Sequence, residues 1–324
     1  MFKPMQPEIE KAAQTLRQGG LVAFPTETVY GLGANALMGK AVARIYKAKG
    51  RPQFNPLIVH VRTLEDVEAL CVMPKSARKL AEAFWPGPLT LVLQRKPDCP
   101  VSDLVSAGLE TLALRIPAHE TAQALLTAAR VPIAAPSANR SGHISATQAS
   151  HVAADLKDRI DHILDGGPTR HGLESTIVAF PDKLRQEPYN EVVLLRAGAI
   201  ETKALEEVLN HPIKRHPQES GSQPLAPGQL ESHYAPKARL RLEAASVSKE
   251  EALLAFGKNI PAHEGPCINL SPSGDSIEAA ANLFASLREL DAKGVSRIAV
   301  MKIPVDGLGE AINDRLRRAA APRK

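Results

Sequence analysis

At 324 residues, with 44% apolar side chains and a formal net charge of +5, the chain is too long for one small core and suits two domains. It holds no run of about 18 apolar residues, which argues against a membrane span, and its opening MFKPMQPEIEKAAQ, charged and without an apolar stretch, argues against a secretory leader, so the expected address is the cytoplasm. Cys71, Cys99 and Cys267 form no C-x-x-C pair, which speaks against a disulfide framework or a structural zinc site, and an aromatic content of 4% offers little surface for stacking bases.

In chain order, Ile9, Ala12, Ala13 and Leu16 fall at helical spacing, and Gly19-Gly20 closes that helix. LVAF follows as a short buried strand ended by Pro25. The pattern then predicts a helix over 40–49, a strand over 57–61, helices near 63–70 and 75–84, strands over 89–93 and 112–116, a helix over 120–129 and a strand over 132–135. Strands near 162–164, 175–178 and 192–195 and a helix from about Glu201 complete the region. Strands interleaved with helices of this length mean α/β layers around a largely buried sheet.

The texture then changes. HPIKRHPQESGSQPLAPGQLESHYAPK carries Pro212, Pro217, Pro224, Pro227 and Pro236 with almost no apolar periodicity, and reads as a linker stiffened by proline. Beyond it a smaller α/β pattern is expected: strand 240–242, helix 249–256, strand 267–270, helix 276–292, strand 297–300 and helix 308–318. The expected division is a catalytic domain over 1–208, a linker or lid over 209–237 and a C-terminal domain over 238–324.

Four clusters sit where strands are expected to end, which in an open α/β sheet is where ligands bind. In FPTETVYGLGANAL, Thr26, Thr28 and Tyr30 alternate and would offer three hydroxyls to one side, with Gly31 and Gly33 permitting a tight turn; surface hydroxyls on a plain turn fit equally well. In IYKAKGRPQFNPLIVH, Lys49 and Arg51 flank Gly50, a pairing that suits a polyphosphate but also suits a solvated helix end. His60 closes the same stretch, as a ligand contact or as a satisfied strand residue. In VPIAAPSANRSGHISAT, Ser137 and Asn139 stand two apart as a phosphate or oxyanion cradle, or as a turn ahead of the next helix. ILDGGPTRHGLESTIV brings glycines before Ser175-Thr176. There is no P-loop, no H-E-x-x-H, no G-x-S-x-G and no regularly spaced carboxylate pair, so a site of cations, hydroxyls and an amide remains; such a site orients charged reactants, as phosphoryl and nucleotidyl transfer require.

FPTETVYGLG, KAKGRPQFNPLIVHV, WPGPLTLVL, LALRIPAH, PIAAPSANRSG, LDGGPTRHGLESTIV, LLRAG and APGQLESHYAP, in that order, resemble the YrdC-like family of threonylcarbamoyl-AMP synthases, and the extra C-terminal segment resembles its two-domain long form. The resemblance implies a YrdC-like twisted open sheet with helices on its faces and a smaller, Rossmann-like C-terminal α/β domain. It implies formation of threonylcarbamoyl-AMP and pyrophosphate from L-threonine, bicarbonate and ATP, the product passing to a threonylcarbamoyl transferase complex that modifies tRNA beside the anticodon, with tRNA contacted indirectly. By matching motif, Thr28, His60, Arg115, Ala135 and Ser175 would contact threonine, Arg115 its carboxylate. Lys49, Arg51, Ser137 and Asn139 would handle the phosphates as the catalytic set, with Asn55, Thr111, Ser145, Arg196 and Tyr234 as further ATP contacts. Magnesium would be held mainly through the phosphates, with no dedicated protein metal site. The linker with Tyr234 would fold back over the site. An insert at 179–192 loosens the placement of Arg196. The alternatives are an RNA-binding module, favoured by the basic cluster and opposed by the scarcity of aromatics, and a carbamoyl-adenylate-forming relative acting on another substrate.

Overall fold

The computed structural model describes residues 6–180, 192–216 and 224–322. Most of the expected insert, and Pro217 of the linker, lie outside them.

The first region contains helices α1 (Gln6–Arg17), α2 (Gly39–Lys49), α3 (Leu64–Leu70), α4 (Lys75–Phe84), α5 (Asp103–Ser106), α6 (Glu120–Ala129), α7 (Ala149–Leu156) and α8 (Thr202–Leu209). Its strands are β1 (Val22–Phe24), β2 (Gly31–Asn35), β3 (Ile58–His60), β4 (Leu89–Gln94), β5 (Thr111–Arg115), β6 (Ile133–Ala134), β7 (His162–Ile163), β8 (Thr176–Ala179), β9 (Val193–Arg196) and β10 (Lys214–Arg215). They form one mixed sheet in the order β10-β9-β8-β4-β5-β3-β6-β2-β1-β7. Alternation along the strands divides its faces. Ala23, Leu32, Val59 and Leu91 turn to a large core shared with Val42, Leu80 and Leu205 of the helices. Val22, Phe24 and Ile133 turn the other way, onto Ala13 and Leu16 of α1 and Leu125 of α6.

The second region holds β11 (Arg239–Arg241), β12 (Glu251–Ala255), β13 (Cys267–Asn269), α9 (Ser276–Ala292), β14 (Arg297–Val300) and α10 (Gly309–Ala320), its four strands all parallel in the order β11-β14-β12-β13. Asp275 caps α9 by accepting from the backbone N–H groups of Ile277 and Glu278. The apolar cluster under α9 and α10 does not stop at this sheet: it takes in Val29, Ile144, Leu173 and Tyr234 from the other region. Gly172 marks how close the approach is, since a Cβ there would stand 2.3 Å from the Ala281 carbonyl oxygen of α9.

Three expectations are corrected. Residues 249–256, expected as a helix, contain β12, whose five residues are all buried between β13 and β14; a short apolar run does not distinguish a helix from a strand buried on both faces. Gly31 and Gly33 form no tight turn but lie in β2, where a Cβ on Gly33 would come 2.8 Å from Ile133 and 2.9 Å from Phe24. The linker is not wholly without regular structure, because β10 within it pairs with Val193-Leu194 of β9.

Candidate active site

One cleft gathers residues from all four sequence clusters. It lies across a face of the first sheet and not, as expected, outside a carboxyl edge. The mixed sheet explains this: β3 and β6 are antiparallel, so their carboxyl ends point opposite ways, while Ile58 and His60, two apart on β3, project to the same face. Arg115, in register with His60 on the parallel strand β5, stands beside them.

On one wall the chain leaving β1 folds into a bend in which the Thr26 and Thr28 hydroxyls bond to each other at 2.8 Å. Arg115 fixes this bend: Nη1 donates to Thr28 Oγ1 (2.9 Å), Nε to the Gly87 carbonyl (3.2 Å), and Nη2 pairs with Glu27 Oε1 at 2.6 Å. Burial pushes the Glu27 carboxyl up, yet Arg115 and the surrounding hydrogen bonds outweigh it and hold the group below the usual carboxylate value. Burial, assisted by Arg115, pushes His60 down to about 3, so its imidazole is neutral; its ring meets Phe24 edge-on. Tyr30 departs from the expected alternation. Its hydroxyl points away, donating to the Gly167 carbonyl at 2.8 Å, and the residue is core.

The facing wall carries buried cations. α2 ends at Gly50 in the left-handed region (φ 63°), and Arg51 turns inward to donate to the carbonyls of Asn55 (3.2 Å) and Pro56 (2.9 Å). Arg196, at the end of β9, donates to the Ser175 carbonyl through Nε and Nη2 (3.1 and 2.9 Å), to the Ser175 hydroxyl at 3.1 Å and to the Pro227 carbonyl at 3.2 Å. Lys49 lies just behind this wall, its ammonium donating to the carbonyls of Ser137 and Asn139. Among the described residues none of these three cations has a carboxylate within 4.0 Å. Burial lowers all three from their ordinary values, and Arg51 adds to the effect on Lys49. Removing charge from water without a counter-charge is costly, so this wall favours an anion.

The structure therefore brings Thr28, Arg51, His60, Arg115, Ala135, Ser137, Ser175, Arg196 and Tyr234 to the cleft surface. Lys49, Asn55, Asn139 and Ser145 are buried directly behind it. Thr111 is not brought there: it begins β5, four residues before Arg115 and so roughly 13 Å of strand away. Several buried polar atoms in this neighbourhood have no partner within the protein: both side-chain amide atoms of Asn55, Asn139 Oδ1, His60 Nδ1, His233 Nδ1 and Tyr234 Oη. Buried polar atoms are rarely left so, and this group points to a polar ligand.

The linker forms the roof. Ala226 packs against Ile58 and Ile177 on the sheet face, and Gly228 (φ 87°) fits where a Cβ would stand 2.9 Å from both Arg196 Cδ and the Tyr234 hydroxyl. Tyr234, itself at φ 64°, is held by stacking on Phe284 of α9, ring centroids 5.4 Å apart.

Sequence reasoning missed Glu27, Glu174, His233 and Arg315. Glu174, on the cleft surface, accepts from the Ser145 hydroxyl at 2.5 Å and from Arg315 Nε at 2.9 Å. No motif spacing exposes such pairs, because Glu27 and Arg115 lie 88 positions apart in the chain and Glu174 and Arg315 lie 141 apart. As for a metal, no group of three or more His, Cys, Asp or Glu among the described residues is placed to hold one, and the two cleft carboxylates are engaged by arginines. Among the described residues no helix is long and apolar enough to cross a membrane.

The Sua5/YciO/YrdC family model, described as "Telomere recombination", matches residues 14–198, and a model described as "Threonylcarbamoyl-AMP synthase, C-terminal domain" matches residues 200–321. The chain is 42% identical to the threonylcarbamoyl-AMP synthase of Pyrococcus abyssi, over 98% of this chain and 95% of the relative. It is 41% identical to the enzyme of the same name from Bacillus subtilis, over 98% and 94%. Among solved structures it resembles P. abyssi Sua5 complexed with L-threonine, with a TM-score of 0.88 at 40% identity, covering 98% of this chain and 96% of that one.

Proposed function

The chain belongs to the threonylcarbamoyl-AMP synthase family, and from that premise we propose that its cleft joins L-threonine, bicarbonate and ATP into L-threonylcarbamoyl-AMP with release of pyrophosphate. The observation that carries the division of labour is electrostatic. One wall holds an arginine already neutralised by Glu27, and the other holds three buried cations with no carboxylate.

The threonine amine and bicarbonate combine, with loss of water, to a carbamate; a carbamate oxygen then forms a bond to the α-phosphorus of ATP as the bond from that phosphorus to the β-phosphate bridging oxygen breaks. No enzyme nucleophile is needed. Arg115 and the Thr28 hydroxyl receive the threonine carboxylate, Arg115 through the N–H groups not spent on Glu27, Gly87 and Thr28 itself. His60, Ala135 and Ser175 complete that half. Arg51 and Arg196 draw the phosphates and stabilise charge moving onto the leaving pyrophosphate. Lys49 braces the Ser137–Asn139 loop with two of its three protons and has the third for phosphate. Asn55, Asn139 and Ser145 reach ATP from behind the wall, and Thr111 is assigned there by motif alone. Magnesium enters on the ATP phosphates, since the cleft's donors are cations, hydroxyls and amides and not a carboxylate cage. Carbamates and mixed anhydrides are labile, so the roof over Tyr234 excludes water from the intermediate.

Residues 1–208 would then be the catalytic domain, 209–237 the lid and 238–324 the domain that holds the lid. The product passes to a transferase complex that installs threonylcarbamoyladenosine beside the tRNA anticodon, so that tRNA is served indirectly. ATP and threonine are cytoplasmic metabolites, which supports a cytoplasmic address.

The test is incubation with ATP, bicarbonate and labelled threonine. Threonine-dependent pyrophosphate release with a labile threonine-containing adenylate is expected. Equal release without threonine, or none while RNA is retained at moderate salt, would overturn the assignment.

A further inference from the structure

The residue that joins the C-terminal region to the cleft is Arg315 of α10. Its side chain is fully buried, and its Nε and Nη1 find acceptors within the protein while Nη2 has none. Nε donates to Glu174 Oε2 at 2.9 Å, and Nη1 donates to the Ala197 carbonyl and to Asp314 Oδ2, both at 2.8 Å. The guanidinium carbon lies 5.3 Å from the centre of the Tyr234 ring. One cation thus touches the residue next to Arg196, the aromatic ring of the roof and a carboxylate on the cleft surface.

Glu174 is the informative partner. It is a buried carboxylate on the surface of a cleft whose facing wall is built to attract anions, and it directly precedes Ser175, to which Arg196 is bonded three times. A carboxylate there has two available cations. Paired with Arg196, it would quench the charge a phosphate needs; paired with Arg315, it leaves Arg196 bonded only to carbonyls and a hydroxyl. The structure shows the second arrangement. Resting on the assignment of this wall to ATP phosphates, we propose that Arg315 is a positioning residue of the synthase: it draws the Glu174 carboxylate away from Arg196, so that Arg196 keeps its charge for the nucleotide while Glu174 orients the Ser145 hydroxyl. The same helix fastens the roof, through Arg318 Nη1 to the Leu230 carbonyl (2.7 Å) and the His233 N–H to the Arg318 carbonyl (3.1 Å). The C-terminal region is by this reading a part of the active site and not an appended module.

A structural role alone differs in one outcome. If Arg315 only supports the fold, removing its partner Glu174 cannot repair its loss. If it restrains Glu174, neutralising Glu174 must repair it. Binding of α,β-methylene-ATP to the full chain is measured by calorimetry, with thermal melting of every variant alongside. Arg315→Gln is expected to bind the nucleotide roughly tenfold more weakly than the wild type, and the double variant Arg315→Gln with Glu174→Gln to recover to within about threefold of it. Arg315→Lys, which keeps a cation beside Glu174, is expected to bind within about threefold of the wild type. Wild-type affinity in Arg315→Gln, or a double variant no better than Arg315→Gln, would overturn the proposal. Should Arg315→Gln not be recovered folded, Arg315→Lys decides: a tenfold loss there removes charge as the reason. Because the readout needs no turnover, a wild-type chain that binds no nucleotide defeats the functional assignment instead.

Discussion

Two sets of buried or partly buried basic residues lie a few side chains apart and are treated oppositely by the fold. At the junction between the two regions, Arg288 pairs with Asp155 at 2.7 Å, Arg315 with Glu174 and Asp314, and Arg318 with Asp314. In the cleft, Lys49, Arg51 and Arg196 have only carbonyl and hydroxyl oxygens. A carbonyl holds a cation in place without cancelling its charge, whereas a carboxylate cancels it. The junction arginines are therefore neutralised within the protein, whereas the cleft cations keep charge available to an anion.

The sharpest way to break this comparison is to remove one cation from each set. Arg51→Met should lower turnover by about two orders of magnitude or more while leaving the melting temperature unchanged or higher, since an uncompensated buried charge is lost. Arg288→Met should do the reverse. It leaves Asp155 and the carbonyls of Ile144 and Ser145 without their donor, costing about 3 kcal/mol of stability, with turnover per folded molecule within about threefold of the wild type. Equal destabilisation by the two changes, read from urea unfolding, would erase the distinction.

Ligand linkage sharpens it further. Pyrophosphate at about a hundred times its dissociation constant should stabilise the wild type by about 2.7 kcal/mol. The melting shift should vanish in Arg196→Met and persist in Arg288→Met. A shift retained in Arg196→Met would mean that the anion binds elsewhere.

How far the sequence alone reaches follows from what each feature depends on. Helix α9 is legible at both ends because Asp275 caps it and its apolar residues keep helical spacing over the whole 17 residues. Helix α6 is equally plain. The segment 249–256 reads wrongly because its Glu, Ala and Leu favour helices in isolation, and only burial between two parallel neighbours makes it β12. Within the cleft, clusters close in sequence announce themselves: Lys49-Gly50-Arg51 and Ser137-Ala138-Asn139 each carry their chemistry within three residues. Lys49, expected to face phosphate, also braces the adjoining loop through two carbonyls, a second role the sequence does not announce. Glu27, Glu174 and Arg315 are silent in one dimension, since each takes its meaning from a partner brought by folding.

The smallest expected effect concerns histidines, and it separates the two walls of the cleft itself. His60 and His233 are both buried and both held below the ordinary value near 6.5. For His60 the cause is burial and then Arg115, with Glu27 acting the other way; for His233 it is burial and then Arg51, Lys49, Arg196 and Arg318, all cations. At these two positions the unfolded chain takes up protons below about pH 6.5 while the folded chain does not. The stability contributed by keeping these rings neutral is therefore complete above that pH and is lost as pH falls, at up to about 1.4 kcal/mol per pH unit for each histidine, until the folded value is reached, about 3 for His60. Urea unfolding at about pH 7, 6 and 5 should show a shallower decline in His60→Gln and in His233→Gln than in the wild type. An anion that does not titrate in this range, such as sulfate, should distinguish the two. Bound among Lys49, Arg51 and Arg196 it offsets the cations that depress His233, so it should flatten the decline in the wild type and in His60→Gln but not in His233→Gln. His60, beside an arginine already matched by Glu27, gains nothing from the anion. A decline that sulfate flattens equally in all three proteins would mean that the two walls do not differ in available charge, and the contrast between carbonyl-held and carboxylate-held cations would fail inside the cleft.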